Sequence, residues 1–357
     1  MRTGRDVLRL REAREALLQA LVEVDRLVLL GDLLELRHGP VREALAVAEP
    51  ILAQIGEALG AGGEVVVVPG NHDHHLLGGW LERRAVSAPP SPPLGLETAV
   101  DWHDGETLWA VARALGPAEV RAAYPGVWLS TNVYATHGHY CDRHTTVPMF
   151  ERLGAGAIAR IIREPAAGPR RPEDYEAILA PIYAWVHAIA QHGGPDLGSS
   201  SHGASAQAWH ALEGDRGDRT RRSLRRRGFV AAFPALVAAL NRARLGPLHA
   251  DVSGPELRRA ALRAFGEVLA RLRIDAAQVV FGHTHRAGPL PADDRFEWRA
   301  QTGAQLLNTG CWVHEPGFLG ARPRESPYRP GFYASLEDDG LAQLGNLLDG
   351  ITLPLRA

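Results

Sequence analysis

The chain has 357 residues, 45% of them apolar and 22% charged, which excludes general disorder and leaves room for one elaborated domain or two. A formal net charge of −2 at pH 7 demands neither a nucleic-acid nor a membrane partner. All 39 basic residues are Arg, and the only cysteines, Cys141 and Cys311, exclude a disulfide scaffold. The charged N-terminal residues lead into no apolar run. The longest apolar stretch, 229–240, is interrupted by Pro234 and falls short of the ~20 residues of a membrane span, so a cytoplasmic protein is expected.

Val7, Leu10, Ala13, Leu17, Leu21 and Val24 recur at three- and four-residue steps and predict a first helix. Residues 27–30 form a short apolar strand ending at Gly31, 41–59 a second helix stopped by Gly60 to Gly63, and 65–68 a β-branched strand closed by Pro69-Gly70. This alternation is the start of an α/β layered sheet. After Ala85 the pattern breaks, and Pro89, Pro90, Pro92 and Pro93 mark an irregular surface loop. Residues 127–130 and 133–136 read as strands joined by a turn at Thr131-Asn132. From 148 to 276 the chain becomes Arg/Ala-rich and helical, clearest over 175–187 and 255–272, with a Gly/Ser/His-rich loop at 193–205. Strands resume at 278–281, 305–308 and 331–336. The reading is an α/β body over 1–147 and 277–357 with a helical insertion over 148–276.

Sixteen histidines stand out, several of them packed beside glycine at strand ends. The strand at 27–30 delivers Gly31-Asp32, and that at 65–68 delivers Gly70-Asn71-His72-Asp73. The strand at 133–136 delivers His137-Gly138-His139, and that at 278–281 delivers Gly282-His283-Thr284-His285. Ligand sites of open α/β sheets lie just beyond such ends. Four of them would gather carboxylate, amide and imidazole donors in one cleft, a mixture that suits Mn²⁺, Fe or Zn better than Ca²⁺.

In their order and placement these motifs, with Leu307–Gly310 after the last, resemble the calcineurin-like metallophosphoesterase family. The resemblance spans Gly31 to about Leu336, with the helical insertion as a gap. Bacterial members similar in placing helices there include UDP-diacylglucosamine hydrolase, which acts on a lipid pyrophosphate; substrate does not follow from fold. The resemblance implies a layered metallophosphoesterase sheet flanked by helices. It also implies hydrolysis of a phosphate ester or anhydride by a metal-bridging hydroxide. By position, Asp32 would bridge two divalent ions, Asn71, His137 and His283 would complete one ion's ligands, and His285 would serve the other. His72 would be the general acid, with Asp73 orienting its imidazole. His139, Arg37 and His38 would support the ligands or meet substrate, and Tyr140, Asp142 and Arg143 would line the pocket.

The family's first motif, Asp-x-His at the end of a first strand, is absent. Asp101-Trp102-His103 has its spelling but no apolar strand before it. The expectation is an N-terminal truncation, which leaves the ion of His285 two ligands short and a single ion in the chain. A metal-degenerate scaffold of the same fold is the alternative. Seven arginines between Arg216 and Arg227 precede the apolar stretch 229–240. The stretch from Arg216 to Leu240 would suit peripheral contact with an anionic membrane, a phosphorylated lipid or small-molecule substrate, or nucleic acid, the last giving a nuclease as a further alternative.

Overall fold

The computed structural model describes residues 6–147, 150–191, 237–242, 247–248, 254–320 and 322–351. A short 3-10 turn, Val7–Arg9, is capped by the Asp6 carboxylate, which accepts from the Leu8 N–H; α1 (Arg11–Leu21) follows, shorter than its apolar period predicts. Then come β1 (Arg26–Leu30), α2 (Val41–Leu59), β2 (Glu64–Val68), a 3-10 turn His74–Leu77, α3 (Gly78–Val86), β3 (Glu97–Val100) and α4 (Thr107–Leu115). β4 (Glu119–Trp128), β5 (Val133–Thr136) and a 3-10 turn His139–Arg143 lead to α5 (Phe150–Ile161) and α6 (Pro172–Gln191). α7 (Gly254–Leu272), β6 (Gln278–Phe281), β7 (Gln305–Asn308), α8 (Pro316–Leu319), β8 (Phe332–Ser335) and β9 (Gln343–Asn346) complete the described chain.

The fold is mixed α/β. One seven-stranded sheet has the order β1-β2-β4-β5-β6-β7, with β3 attached to β4. β1, β2 and the first half of β4 are parallel, with Val67 beside Ala122; β5, β6 and β7 are also parallel to one another. Between the two sets, Gly126 to Trp128 of β4 pair antiparallel with Thr136 to Tyr134 of β5. The sheet therefore folds over along β4, and its two halves face each other. Val66 and Val68 of β2 share one buried cluster with Val133 and Ala135 of β5, Val280 of β6 and Leu307 of β7. The curl brings the C-terminal ends of β1, β2, β5 and β6 to one place.

Helices cover both outer faces. On α2, Ala44, Ala48, Ile51, Leu52 and Ile55 form the buried stripe of an amphipathic helix, and Gly60, at φ +67°, ends it by donating its N–H to the Gly56 carbonyl. On α7, Leu262, Phe265 and Leu269 pack on Val279, Phe281 and Leu306, with the Phe265 and Phe281 rings stacked at 4.1 Å. The last helix of the 148–276 segment is thus a layer of the α/β body. α5 and α6 lie over the strand ends, where Tyr175, Ile178, Leu179, Ile182 and Tyr183 join a cluster with Leu34, Leu36, Leu77, Tyr124 and Tyr140. Among the described residues no helix is long and apolar enough to cross a membrane.

The region read as irregular after Ala85 contains α4, β3 and the first half of β4. The ten-residue β4 spells Glu-Val-Arg-Ala-Ala-Tyr-Pro-Gly before its apolar end, without the β-branched run that marks β2, so it is strand by pairing on both edges and not by propensity. The 193–205 loop and Arg216 to Arg227 lie outside the described residues. Of Arg216 to Leu240 only 237–240 is described; it is helical, and Val237 is buried against Leu153 and Leu248.

Candidate metal centre

β1 ends in a turn that only glycine fits. Gly31 sits at φ +83°, and a Cβ there would overlap the ring of His137; a Cβ at Gly70, at the end of β2, would overlap the Asp32 carboxylate. Asp32, His283 and His285 also adopt positive φ, at +53°, +63° and +60°, a conformation that costs a non-glycine residue energy and collects at functional sites.

The Asp73 carboxylate ties the two strand ends together. It accepts from the backbone N–H of Asp32 (3.2 Å), Leu33 (2.7 Å), Leu34 (3.3 Å) and Gly70 (2.7 Å), and it is fully buried. This corrects its expected role. Asp73 shapes the backbone, and the carboxylate that orients His72 is Glu35, whose Oε2 lies 2.7 Å from His72 Nδ1. Burial works against charge on both partners, yet their mutual attraction wins: Glu35 is held down to about 2, and Glu35 with Asp32 raises His72 above its ordinary range. Glu35 is three residues beyond Asp32 in the same turn, and its partner His72 is 37 residues further along the chain.

Four donor atoms converge beside this pair. His137 Nδ1 lies 3.0 Å from the Leu30 carbonyl, to which only an N–H can donate, so the lone pair of neutral His137 is on Nε2. That lone pair faces Asn71 Oδ1 at 3.2 Å and Asp32 Oδ2 at 3.3 Å. On the far side, His283 Nδ1 lies 3.2 Å from the same Asn71 oxygen, while its Nε2 is 2.8 Å from Asp142 Oδ1. With Nε2–H donated to Asp142, His283 Nδ1 also offers a lone pair. Four acceptors then point at one another, an arrangement relieved by added protons on the rings, by the Asn71 amide turning its NH₂ toward them, or by a cation among them. Asp32, His137 and His283 form one of the two groups among the described residues that could hold a metal ion. Burial opposes the Asp32 charge, but His137 and His72 hold its carboxyl well below the ordinary range. Burial likewise opposes charge on His283, and Asp142 raises it well above the ordinary range.

The remaining expected residues are placed as follows. His285 is partly buried; desolvation lowers it to about 4, against the pull of Asp32. His139 is buried, with Nε2 3.0 Å from the Tyr124 hydroxyl and its ring 5.6 Å from that of His137, so it backs the cluster, and burial drives it well below its ordinary value. Arg37 is buried in an ion pair with Glu151 of α5 at 2.8 Å, which joins the loop after β1 to that helix. His38 Nδ1 lies 3.4 Å from Glu35 Oε2, beside His72. Tyr140 donates to Glu176. Arg143 is paired with Glu164. Asp101, 72% exposed and paired with Arg83, stands apart from the cluster, so Asp101-Trp102-His103 does not replace the absent motif. Residues that sequence reading missed are Glu35, Glu151 and Glu176, all of which act through partners distant in the chain.

Comparison with protein-family models, curated proteins and solved structures finds no match. The case for a metal centre therefore rests on the convergence of Asp32, Asn71, His137 and His283 and on the carboxylates behind the rings.

Proposed function

We propose that the chain is a metal-dependent phosphoesterase of the calcineurin-like type, with the layered metallophosphoesterase arrangement of its sheet, that hydrolyses a phosphate ester or anhydride. The observation that carries this reading is the facing of four lone-pair atoms beside a histidine–carboxylate pair. Asp32 Oδ2, Asn71 Oδ1, His137 Nε2 and His283 Nδ1 would hold one divalent ion, of which Mn²⁺, Fe²⁺ and Zn²⁺ suit two nitrogen and two oxygen donors. Such an ion supplies Lewis acidity toward a phosphoryl group and toward water.

The chain's own groups do the rest. Asp142 and the Leu30 carbonyl fix the two ligand rings, so the lone pairs need no reorganisation. His72, engaged by Glu35 at Nδ1, brings a proton to the leaving oxygen through Nε2. His285, in electrostatic reach of Asp32 and His72, would serve the second ion that the family resemblance implies.

The test loads the purified chain with Mn²⁺, counts ions per chain by elemental mass spectrometry, and assays p-nitrophenyl phosphate and bis(p-nitrophenyl) phosphate. One bound ion with EDTA-sensitive release of p-nitrophenol is the expected result, with hydrolysis of phenyl phosphate, whose leaving oxygen needs a proton, lost in His72→Ala. Neither ion nor hydrolysis would overturn the reading in favour of the metal-degenerate scaffold.

A further inference from the structure

The second group of donors lies behind His283. Cys141 Sγ, an Asp142 carboxylate oxygen and a ring nitrogen of His283 are all within 4.8 Å of one another, and the ring nitrogen that faces Asp142 is Nε2. Cys141 and Asp142 are 5% and 3% exposed, on the 3-10 turn after β5. Asp142 Oδ1 accepts from His283, but Asp142 Oδ2 is buried with no hydrogen-bond partner. A buried carboxylate oxygen without a donor is costly, and here it stands in a set that already includes a thiol and an imidazole. Donors around a tetrahedral Zn²⁺ stand roughly 3.5 Å apart, given bonds of about 2.0–2.3 Å, so small side-chain rotations would close this set on an ion.

We propose that Cys141, Asp142 and His283 form a second cation site, selective for thiophilic divalent ions such as Zn²⁺ and Cd²⁺, whose filling excludes an ion from the Asp32 set. Selectivity follows from softness: a thiolate favours Zn²⁺ and Cd²⁺ over Mn²⁺ and Mg²⁺, whereas the Asp32 set, with two oxygens and no sulfur, accepts the harder ions. Exclusion follows from the valence of one ring. A neutral imidazole has one lone pair and one N–H. When Nδ1 binds on the Asn71 side, Nε2 keeps its proton for Asp142. When Nε2 binds on the Cys141 side, Nδ1 keeps its proton and donates to Asn71 Oδ1, which takes the ring out of the first set and turns an N–H toward the place of its ion. Starting from the imidazolium, filling the outer site breaks the Cys141 Sγ–H and His283 Nε2–H bonds. It forms bonds from the ion to Sγ, Nε2 and the Asp142 carboxylate, and releases two protons to solvent per divalent ion. Exclusion rests on the proposed metal centre; the outer site does not.

The experiment titrates Cd²⁺ into the full chain and follows the ultraviolet thiolate-to-cadmium charge-transfer band, alone and after loading with Mn²⁺ read by electron paramagnetic resonance. The expected result is a band that saturates at one Cd²⁺ per chain, persists in Cys311→Ser and in Asn71→Ala, and is lost in Cys141→Ser. In the same titration Cd²⁺ releases bound Mn²⁺ from the wild type, and about tenfold more Cd²⁺ is needed to do so in Cys141→Ser. Asp142→Asn, nearly isosteric, provides a second variant with a Cd²⁺ midpoint shifted upward about tenfold. Cadmium bound without the band, a band that survives Cys141→Ser, or stable co-occupancy of Cd²⁺ and Mn²⁺ would overturn the proposal. A Cys141-dependent band in a chain whose Asp32 set binds none of Mn²⁺, Fe²⁺ and Zn²⁺ would support the outer site and sink the hydrolase reading instead.

Discussion

Asp73 and Glu35 are carboxylates near one cluster with opposite tasks, and their partners distinguish them. Asp73 gives both oxygens to four backbone N–H groups. Asparagine there would keep one acceptor and turn an NH₂ toward donors, so Asp73→Asn is expected to cost about 3 kcal/mol of stability, read as a lower urea midpoint at unchanged slope. Glu35 faces imidazoles, with His72 Nδ1 at 2.7 Å. Glu35→Gln should leave Mn²⁺ stoichiometry intact and lower turnover of phenyl phosphate, whose leaving oxygen needs a proton, about 10²-fold, the usual worth of a positioned proton donor. If the two variants exchanged these phenotypes, the assignment of roles would be wrong.

Among the apolar side chains that dock helix α6 sits one buried carboxylate, Glu176. Glu176 Oε1 accepts from the Tyr124 hydroxyl at 2.6 Å and the Tyr140 hydroxyl at 2.7 Å, and Oε2 lies 2.9 Å from His74 Nε2. Burial alone would raise the Glu176 carboxyl, but His74 and the two hydroxyls bring it below its ordinary value of 4.5. A carboxyl lowered in the folded state contributes stability that is complete above its unfolded pKa and fades as pH falls through the folded one. Glu176→Gln is therefore expected to cost about 2–4 kcal/mol at pH 7. Denaturation across pH should show the gap between variant and wild type holding from pH 7 down to about 4.5 and narrowing below it. A gap independent of pH would mean that the carboxylate's charge is not what docks the helix.

The same helix shows how far sequence reaches. Its apolar period was readable over 175–187, as were the bounds of α2, β5, β6 and β7, because each depends on its own residues. Asp32, Asn71, His137 and His283 were readable too, since a glycine beside a polar residue at a strand end is a local pattern. Glu176 and Glu35 were not, because a glutamate in a helix or turn looks solvated until the fold sets tyrosines or histidines against it. β4 was half hidden for a related reason: Glu119 to Ala122 become strand through pairing with β2.

At the scale of the whole molecule, the site is a joint between the two halves of the folded sheet. Asp32 and Asn71 come from the β1 and β2 ends of one half, His137 and His283 from the β5 and β6 ends of the other. In the metal-free chain that joint is carried by the His137–Leu30 contact and by oxygens and ring nitrogens about 3.2 Å apart. A bound ion would link all four ends, and because an unfolded chain does not assemble the set, binding free energy becomes folding free energy. At Mn²⁺ one hundredfold above its dissociation constant the gain is about 2.7 kcal/mol, which for a chain of this length raises the melting temperature by roughly 3–4 °C. Gly31→Ala, whose new methyl would displace the His137 ring, should melt at a lower temperature than the wild type and lose that Mn²⁺-dependent rise. Differential scanning calorimetry with Mn²⁺ and with EDTA reads both effects. An equal rise in variant and wild type would place the stabilising ion elsewhere than between the two halves of the sheet.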